Sequence, residues 1–274
     1  MRSISTFGFV AAIGLAGCAN FYSDAVIGDG KVVSEQRTAA GALQLDMRGP
    51  LVVDVKVGQA PSLLVEGDSN LLPLIRSEVV NGTLRLWVEK NVRTNHVLRV
   101  TWTTAQLSQV NAAGSGRLIV NGLQGGPLTL IKTGSGSAQL TGSVGLLNMQ
   151  ATGSGGIDAR ELHSGNANLS LSGSGSIVMG EVKAEALNVK VRGSGELQAA
   201  GAVAQLNAQV VGSGDARLKS VASEHAELST TGSGDITAQV GRSLIAQTTG
   251  SGRITVYGNP AQRNITGRHV DLVD

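Results

Sequence analysis

From Val110 to Val256, apolar and polar residues alternate in blocks that recur every 18–20 residues. Eight Gly-Ser-Gly triplets punctuate the blocks, starting at Gly114, Gly134, Gly153, Gly173, Gly193, Gly212, Gly232 and Gly250. Two residues past each triplet stand Leu118, Ala138, Ile157, Ile177, Leu197, Ala216, Ile236 and Ile254. Four past stand Val120, Leu140, Ala159, Met179, Ala199, Leu218, Ala238 and Val256. Every one is apolar, while the residues between are mostly polar, as at Arg117, Ser137, Gln139, Asp158, Glu196 and Asp215. Period two marks a strand with one buried face; a helix would place apolar residues three and four apart.

The residues ahead of each triplet carry the same period. Four before it come Val110, Leu130, Met149, Leu169, Val189, Ala208, Leu228 and Ala246, and six before it Leu128, Leu147, Ala167, Leu187, Leu206, Ala226 and Leu244. One strand therefore enters each triplet and another leaves it, with glycine supplying the corner. Connectors of 5–7 residues follow, each holding one apolar residue: Leu123, Val144, Leu162, Val182, Val203, Val221 and Val240. These predict a short third wall. Such a unit buries its apolar face only by stacking on its neighbours, so the chain predicts an all-β parallel β-helix. Crossovers between parallel strands make it right-handed. An antiparallel sandwich would not require a twenty-residue register. Pairs such as Ala138 with Leu140 and Ile157 with Ala159 set small against large, which suits a narrow core.

The flanks are less regular. Residues 31–107 predict a β-rich block that covers the first coil, with strands at Leu43/Leu45/Met47, Val53/Val55/Val57 and Leu84/Leu86/Val88. Val80-Asn81-Gly82-Thr83 is a hairpin signal of type I′. The repeats occupy 108–256, and Tyr257-Gly258-Asn259-Pro260 breaks the pattern ahead of a capping tail, 257–274. Packing is the expected role of both Trp87 and Trp102.

The N-terminus changes the picture of location. Met1-Arg2 precedes an apolar run from Ile4 to Ala16, too short to span a bilayer as a helix. It ends Leu15-Ala16-Gly17-Cys18, and Cys18 is the single cysteine. This resembles a bacterial lipoprotein signal (1–17) whose Cys18 is lipidated, followed by a tether through residue 30. With Ala19 rather than Asp after the cysteine, the resemblance implies outer-membrane delivery, with the lipid as the membrane partner. Twenty-two Lys and Arg against 20 Asp and Glu give a formal net charge of +2, which argues against nucleic acid as a partner.

The chain as a whole resembles the bacterial autotransporter-adhesin head GIN domain family over about residues 31–270. The resemblance rests on Gly212-Ser213-Gly214-Asp215 and Gly232-Ser233-Gly234-Asp235, on Val65-Glu66-Gly67-Asp68-Ser69-Asn70-Leu71-Leu72 with Asn81-Gly82-Thr83-Leu84, and on Val256-Tyr257-Gly258-Asn259-Pro260. It implies an envelope-exported β-helix, often a lipoprotein, and supplies no catalytic or binding residues. Arg117, Ser137, Gly156, Ser176 and Arg253 replace the Asp in five units.

Equal positions in adjacent coils form ladders about 4.8 Å apart. Asn148, Asn168, Asn188 and Asn207 make one such ladder, facing outward by alternation. Thr133, Thr152, Ser172, Thr231 and Thr249 make another just before the triplets, with Gln150, Ser170, Gln209, Ser229 and Gln247 between. Together they predict a flat face, uncharged except for Lys190 and Arg192. It reads either as a recognition surface for an envelope glycan or protein, or as amide stacking that stabilises the coil. Glu196, Asp215 and Asp235 follow one another in successive coils and need relief from Arg192, Arg217 and Arg253 or from calcium. The arginines suffice, so no metal or other cofactor is expected. A carbohydrate lyase or hydrolase on the same scaffold is the alternative, but short connectors leave little to build a cleft. His163 and His225 lie three coils apart, about 14 Å along the axis. Triplet serines have no base beside them. The expectation is a non-catalytic envelope lipoprotein.

Overall fold

The computed structural model describes residues 25–273. The expected signal segment, Cys18, the expected tether as far as residue 24 and Asp274 lie outside them. The repeats form a β-solenoid of roughly 20-residue coils in which successive units pair in parallel. Ile157, Ile177, Leu197, Ala216, Ile236 and Ile254 stand in one column, each paired with the next.

Every apolar position assigned to the two walls and the connectors is buried. A further inward column lies two residues before the triplets: Ala112, Lys132, Ala151, Leu171, Val191, Val210, Thr230 and Thr248. Its polar members obscure it in the sequence. Thr230 is accommodated because its hydroxyl donates to the Gly234 carbonyl at 2.7 Å. Lys132 is 3% exposed, and its Nζ reaches only the Gly134 carbonyl, at 3.4 Å. Burial pushes its ammonium pKa down.

The connectors differ from expectation. Each central coil is one continuous strand from triplet to triplet, as in Gly156–Gly173, Ser176–Gly193 and Glu196–Gly212. The backbone keeps its hydrogen bonds to the neighbouring coils and bends by register shifts, for example between Val178 and Glu181.

Both glycines of a triplet are required, for different reasons. Gly173 has φ 114°, which disfavours any side chain. Gly175 has an ordinary φ, but a Cβ there would lie 2.3 Å from the Gly155 carbonyl oxygen of the coil before. The Gly175 N–H donates 3.0 Å to the Gly153 carbonyl, so corner stacks on corner through backbone alone.

The stack runs past the triplets at both ends. Gln44–Arg48 and Val52–Val57 pair with Gln109–Ala113 and Arg117–Gly125, turning at Gly49. Thr83–Val88 and Arg99–Thr104 lie on the other side of that coil, still parallel. Beyond them the pairing becomes antiparallel: Ile75–Val80 on Thr83–Val88, and Ser62–Asp68 between Arg99–Thr104 and Val32–Arg37. Asn81 and Gly82 both have positive φ, as a type I′ hairpin needs. The tail adds one more coil, Gln262–Thr266 and Val270–Val273, turning at Gly267. Trp102 is fully buried, whereas Trp87 is only half-buried, on the outer side of its strand.

Ile177→Asp places a carboxylate in the sealed core and should lower unfolding stability by about 3–5 kcal/mol. Val178 points outward between Asp158 and Gln198, so Val178→Asp should cost about 1 kcal/mol, mainly from repulsion by Asp158. Equal urea midpoints for the two variants would contradict the inward and outward assignment.

Candidate binding face

The strand entering each triplet presents its odd-numbered steps outward, which sets Asn148, Asn168, Asn188 and Asn207 in register. Their amides bond head to tail. Asn168 Nδ2 donates to Asn148 Oδ1 at 2.8 Å, Asn188 to Asn168 at 2.8 Å, and Asn207 to Asn188 at 2.9 Å. The stacking reading is therefore correct as to geometry. It does not exhaust the amides: an amide carries two N–H donors and two carbonyl lone pairs. One donor and one lone pair of Asn168 and of Asn188 go into the ladder, and the second set is left for a ligand or water.

A shallow groove of about 820 Å³ follows this ladder, from Thr129 at one end to Glu227 at the other. Gln150, Ser170, Gln209 and Ser229 form its second row. Lys190 and Arg192 supply its cations, and among the described residues neither makes an ion pair. The amides and these cations share one face, as the alternation predicts, but the face is concave and not flat, because the stacked strands curve along it.

The other candidate groups are engaged in the fold. Asp215 Oδ1 accepts the backbone N–H of Asp235 at 3.2 Å, and Asp235 Oδ1 accepts that of Arg253 at 2.8 Å. Arg217 pairs with Glu196 at 3.1 Å and approaches Asp215 at 3.9 Å. The Arg253 guanidinium goes instead to Asp271, at 3.1 Å, and Arg192 takes no part. Among the described residues no cluster of three acids, His or Cys suits a metal ion. His163 faces Glu181 at 3.2 Å and His225 faces Ser243 at 2.6 Å, each on its own coil pair. Lys183, ahead of His163, holds the Glu181 carboxyl below the usual range. All eight triplet serines are exposed at corners.

Residues 43–179 and 159–260 match the family described as "Putative auto-transporter adhesin, head GIN domain". The chain belongs to this family. A putative adhesin from Parabacteroides merdae ATCC 43184 shares the head GIN fold at TM-score 0.70 and 23% identity, over 92% of this chain and 100% of its own. Another, from Parabacteroides distasonis ATCC 8503, aligns at TM-score 0.69 and 23% identity, over 91% and 100%. A putative lipid binding protein from the same organism aligns at 0.68 and 21%, over 91% and 99%. At these identities the likeness is one of fold. No curated protein matches the sequence.

One cluster in this head GIN domain escaped the sequence. Asp68 is fully buried where the tether meets the cap, and its carboxylate contacts the Thr94 hydroxyl and, at 2.8 Å, His96 Nδ1. The Thr94 hydrogen bond, with help from His96 and against the effect of burial, holds the Asp68 carboxyl below its ordinary range. Beside it, Asn70 Nδ2 donates to the Ile27 carbonyl at 2.7 Å, and Val26–Ile27 pair with Val92–Arg93. Asp68 and Asn70 stand in the sequence only as part of the family motif, with nothing to link them to Thr94 or His96, and only the antiparallel cap brings these residues together.

Asn188→Ala removes two ladder bonds and should lower stability by about 1–2 kcal/mol in a urea melt, whereas no change would show that the amides are idle. The depressed Asp68 carboxyl binds fewer protons folded than unfolded. Its contribution is complete above the ordinary carboxylate range and is lost as pH falls through the depressed value. The gap in melting temperature between wild type and Asp68→Asn should therefore be largest near neutral pH and shrink in acid.

Proposed function

We propose that this head GIN domain protein is a non-catalytic envelope lipoprotein that binds an extended ligand along its asparagine face. The observation that carries the reading is the coincidence of the shallow groove of about 820 Å³ with the amide ladder. Amides repeating about every 4.8 Å offer a donor and an acceptor per coil to a chain lying along the axis. A polymer such as an envelope glycan, or an extended protein segment, would meet several at once. Individually weak contacts then add along one rigid surface. The adhesin description of the family accords with a binding module.

The non-catalytic part rests on how the titratable groups are used. The corner carboxylates accept backbone N–H groups or pair with arginines, and His163 and His225 have separate partners. A glycoside hydrolase needs two carboxyl groups facing each other across a cleft. Among the described residues Glu227 is the one carboxylate in the groove.

The anchor is proposed from Leu15-Ala16-Gly17-Cys18. A lipid on Cys18 would hold the protein at the envelope, on the outer membrane, and the docked segment from Val26 would join the anchor to the cap.

Replacing Asn168 and Asn188 with leucine, which removes the amides without adding charge, should abolish retention on envelope material while the melting temperature falls by only a few degrees. Unchanged retention by folded protein would remove the face from the binding reading. Cys18→Ala should abolish lipid labelling and move the exported protein out of the membrane fraction; persistent labelling would refute the anchor.

A further inference from the structure

Lys190 and Arg192 narrow the class of chain that the groove takes. They stand two residues apart on the strand Ser176–Gly193, on the same outer face as Asn188. Their partners in the adjoining coils are all uncharged: Ser170 and Gln209 flank Lys190, and Ser172 and Val211 flank Arg192. Elsewhere on the solenoid the exposed basic groups often have a carboxylate at hand, as Arg160 has Asp158, Lys183 has Glu181 and Arg242 has Glu224. Here two adjacent cations stand without one, midway along a groove otherwise lined by amides and hydroxyls. Among the described residues Glu227 is the only acid lining that groove. It pairs with Asn207, which pairs with Asn188, so it stands two coils from the cationic strand, about 10 Å along the axis. That exceeds the screening length of about 8 Å at physiological ionic strength.

We infer that the ligand is a hydroxylated polymer carrying an anionic group, carboxylate or phosphate, which Lys190 and Arg192 hold while the asparagine ladder contacts the uncharged units on either side. The inference rests on the groove reading above and specifies its substrate class: an acidic glycan rather than a neutral one. The chemistry of the two positions fits the division of labour. A guanidinium offers a planar fork of donors and an ammonium a point charge, both suited to an oxyanion. The amides offer donors and acceptors together, which suits hydroxyl groups.

The test compares acidic and neutral forms of one backbone. Polygalacturonate is set against its fully methyl-esterified form for carboxylate, and phosphomannan against the dephosphorylated mannan for phosphate. Binding is followed by calorimetry on the mature domain, residues 19–274, and on a Lys190→Gln, Arg192→Gln variant whose melting temperature is checked first. The wild type should prefer the acidic form of at least one pair by about tenfold, and the variant should lose that preference while retaining the neutral-form affinity. The pair that shows the preference identifies the anion. Equal affinity for acidic and neutral forms would overturn the inference and leave the groove reading intact. An acidic preference that survives in the variant would also overturn it, since the charge would then be read elsewhere. Binding of none of the four polymers would count against both readings.

Discussion

The whole molecule hangs on corners that have no room for a side chain. At each triplet, backbone packs directly on the backbone of the coil before, with a Cβ on the second glycine falling 1.9–2.5 Å from a carbonyl oxygen. That distance is far inside contact, and the atom in the way is main chain that cannot rotate aside. The carbonyl of each first glycine from Gly114 to Gly232 accepts an N–H from the next corner, so the column is hydrogen-bonded as well as close-packed. Glycine is costly in the unfolded chain because it has the most freedom to lose. Here it is the residue that lets the coils approach at all.

Register follows from those corners. Because glycine must stack on glycine, every other position is locked into its column, and a slip of one residue would turn the whole core face outward. The same lock places the four asparagines at the spacing their amides need to bond to one another. The groove is thus a by-product of the constraint that holds the core together. A flexible loop could not offer several identical polar groups at fixed intervals without ordering itself first.

Charge is distributed so that this face stays nearly neutral. Asp158, Glu196, Asp215 and Asp235 stand where the strands leave the corners, and backbone N–H groups and arginines receive them. Exposed ion pairs of this kind contribute little each, so their value lies in satisfying charges in a closely repeating array. Lys190 and Arg192 depart from that arrangement. At the N-terminal end the solenoid passes into antiparallel pairing, which closes the stack with strands that cannot be extended as another coil. Buried Asp68 ties the strand Ser62–Asp68 to Thr94 and His96, and Asn70 bonds the incoming chain at Ile27. At the opposite end the last described coil carries the strand Gln262–Thr266, exposed along its length.

Much of this was legible in the residues. The period of two, the interval of about twenty and the triplets determine strands, corners and the columns of the core, because each is a local property repeated many times. The asparagine ladder was legible for the same reason. What repetition could not reveal is what occurs once. Gly49 and Gly267 turn additional coils without a triplet around them, and the buried Lys132 and Thr230 interrupt an inward column that sequence alone could not separate from the surface. The bending of each connector into a continuous strand depends on hydrogen bonds to coils twenty residues away. The Asp68, Thr94 and His96 contact and the concavity of the asparagine face depend on how distant strands curve against each other. Sequence determined what each coil is made of; only the stacked backbone decided which isolated residues meet and whether the shared face is flat or hollow.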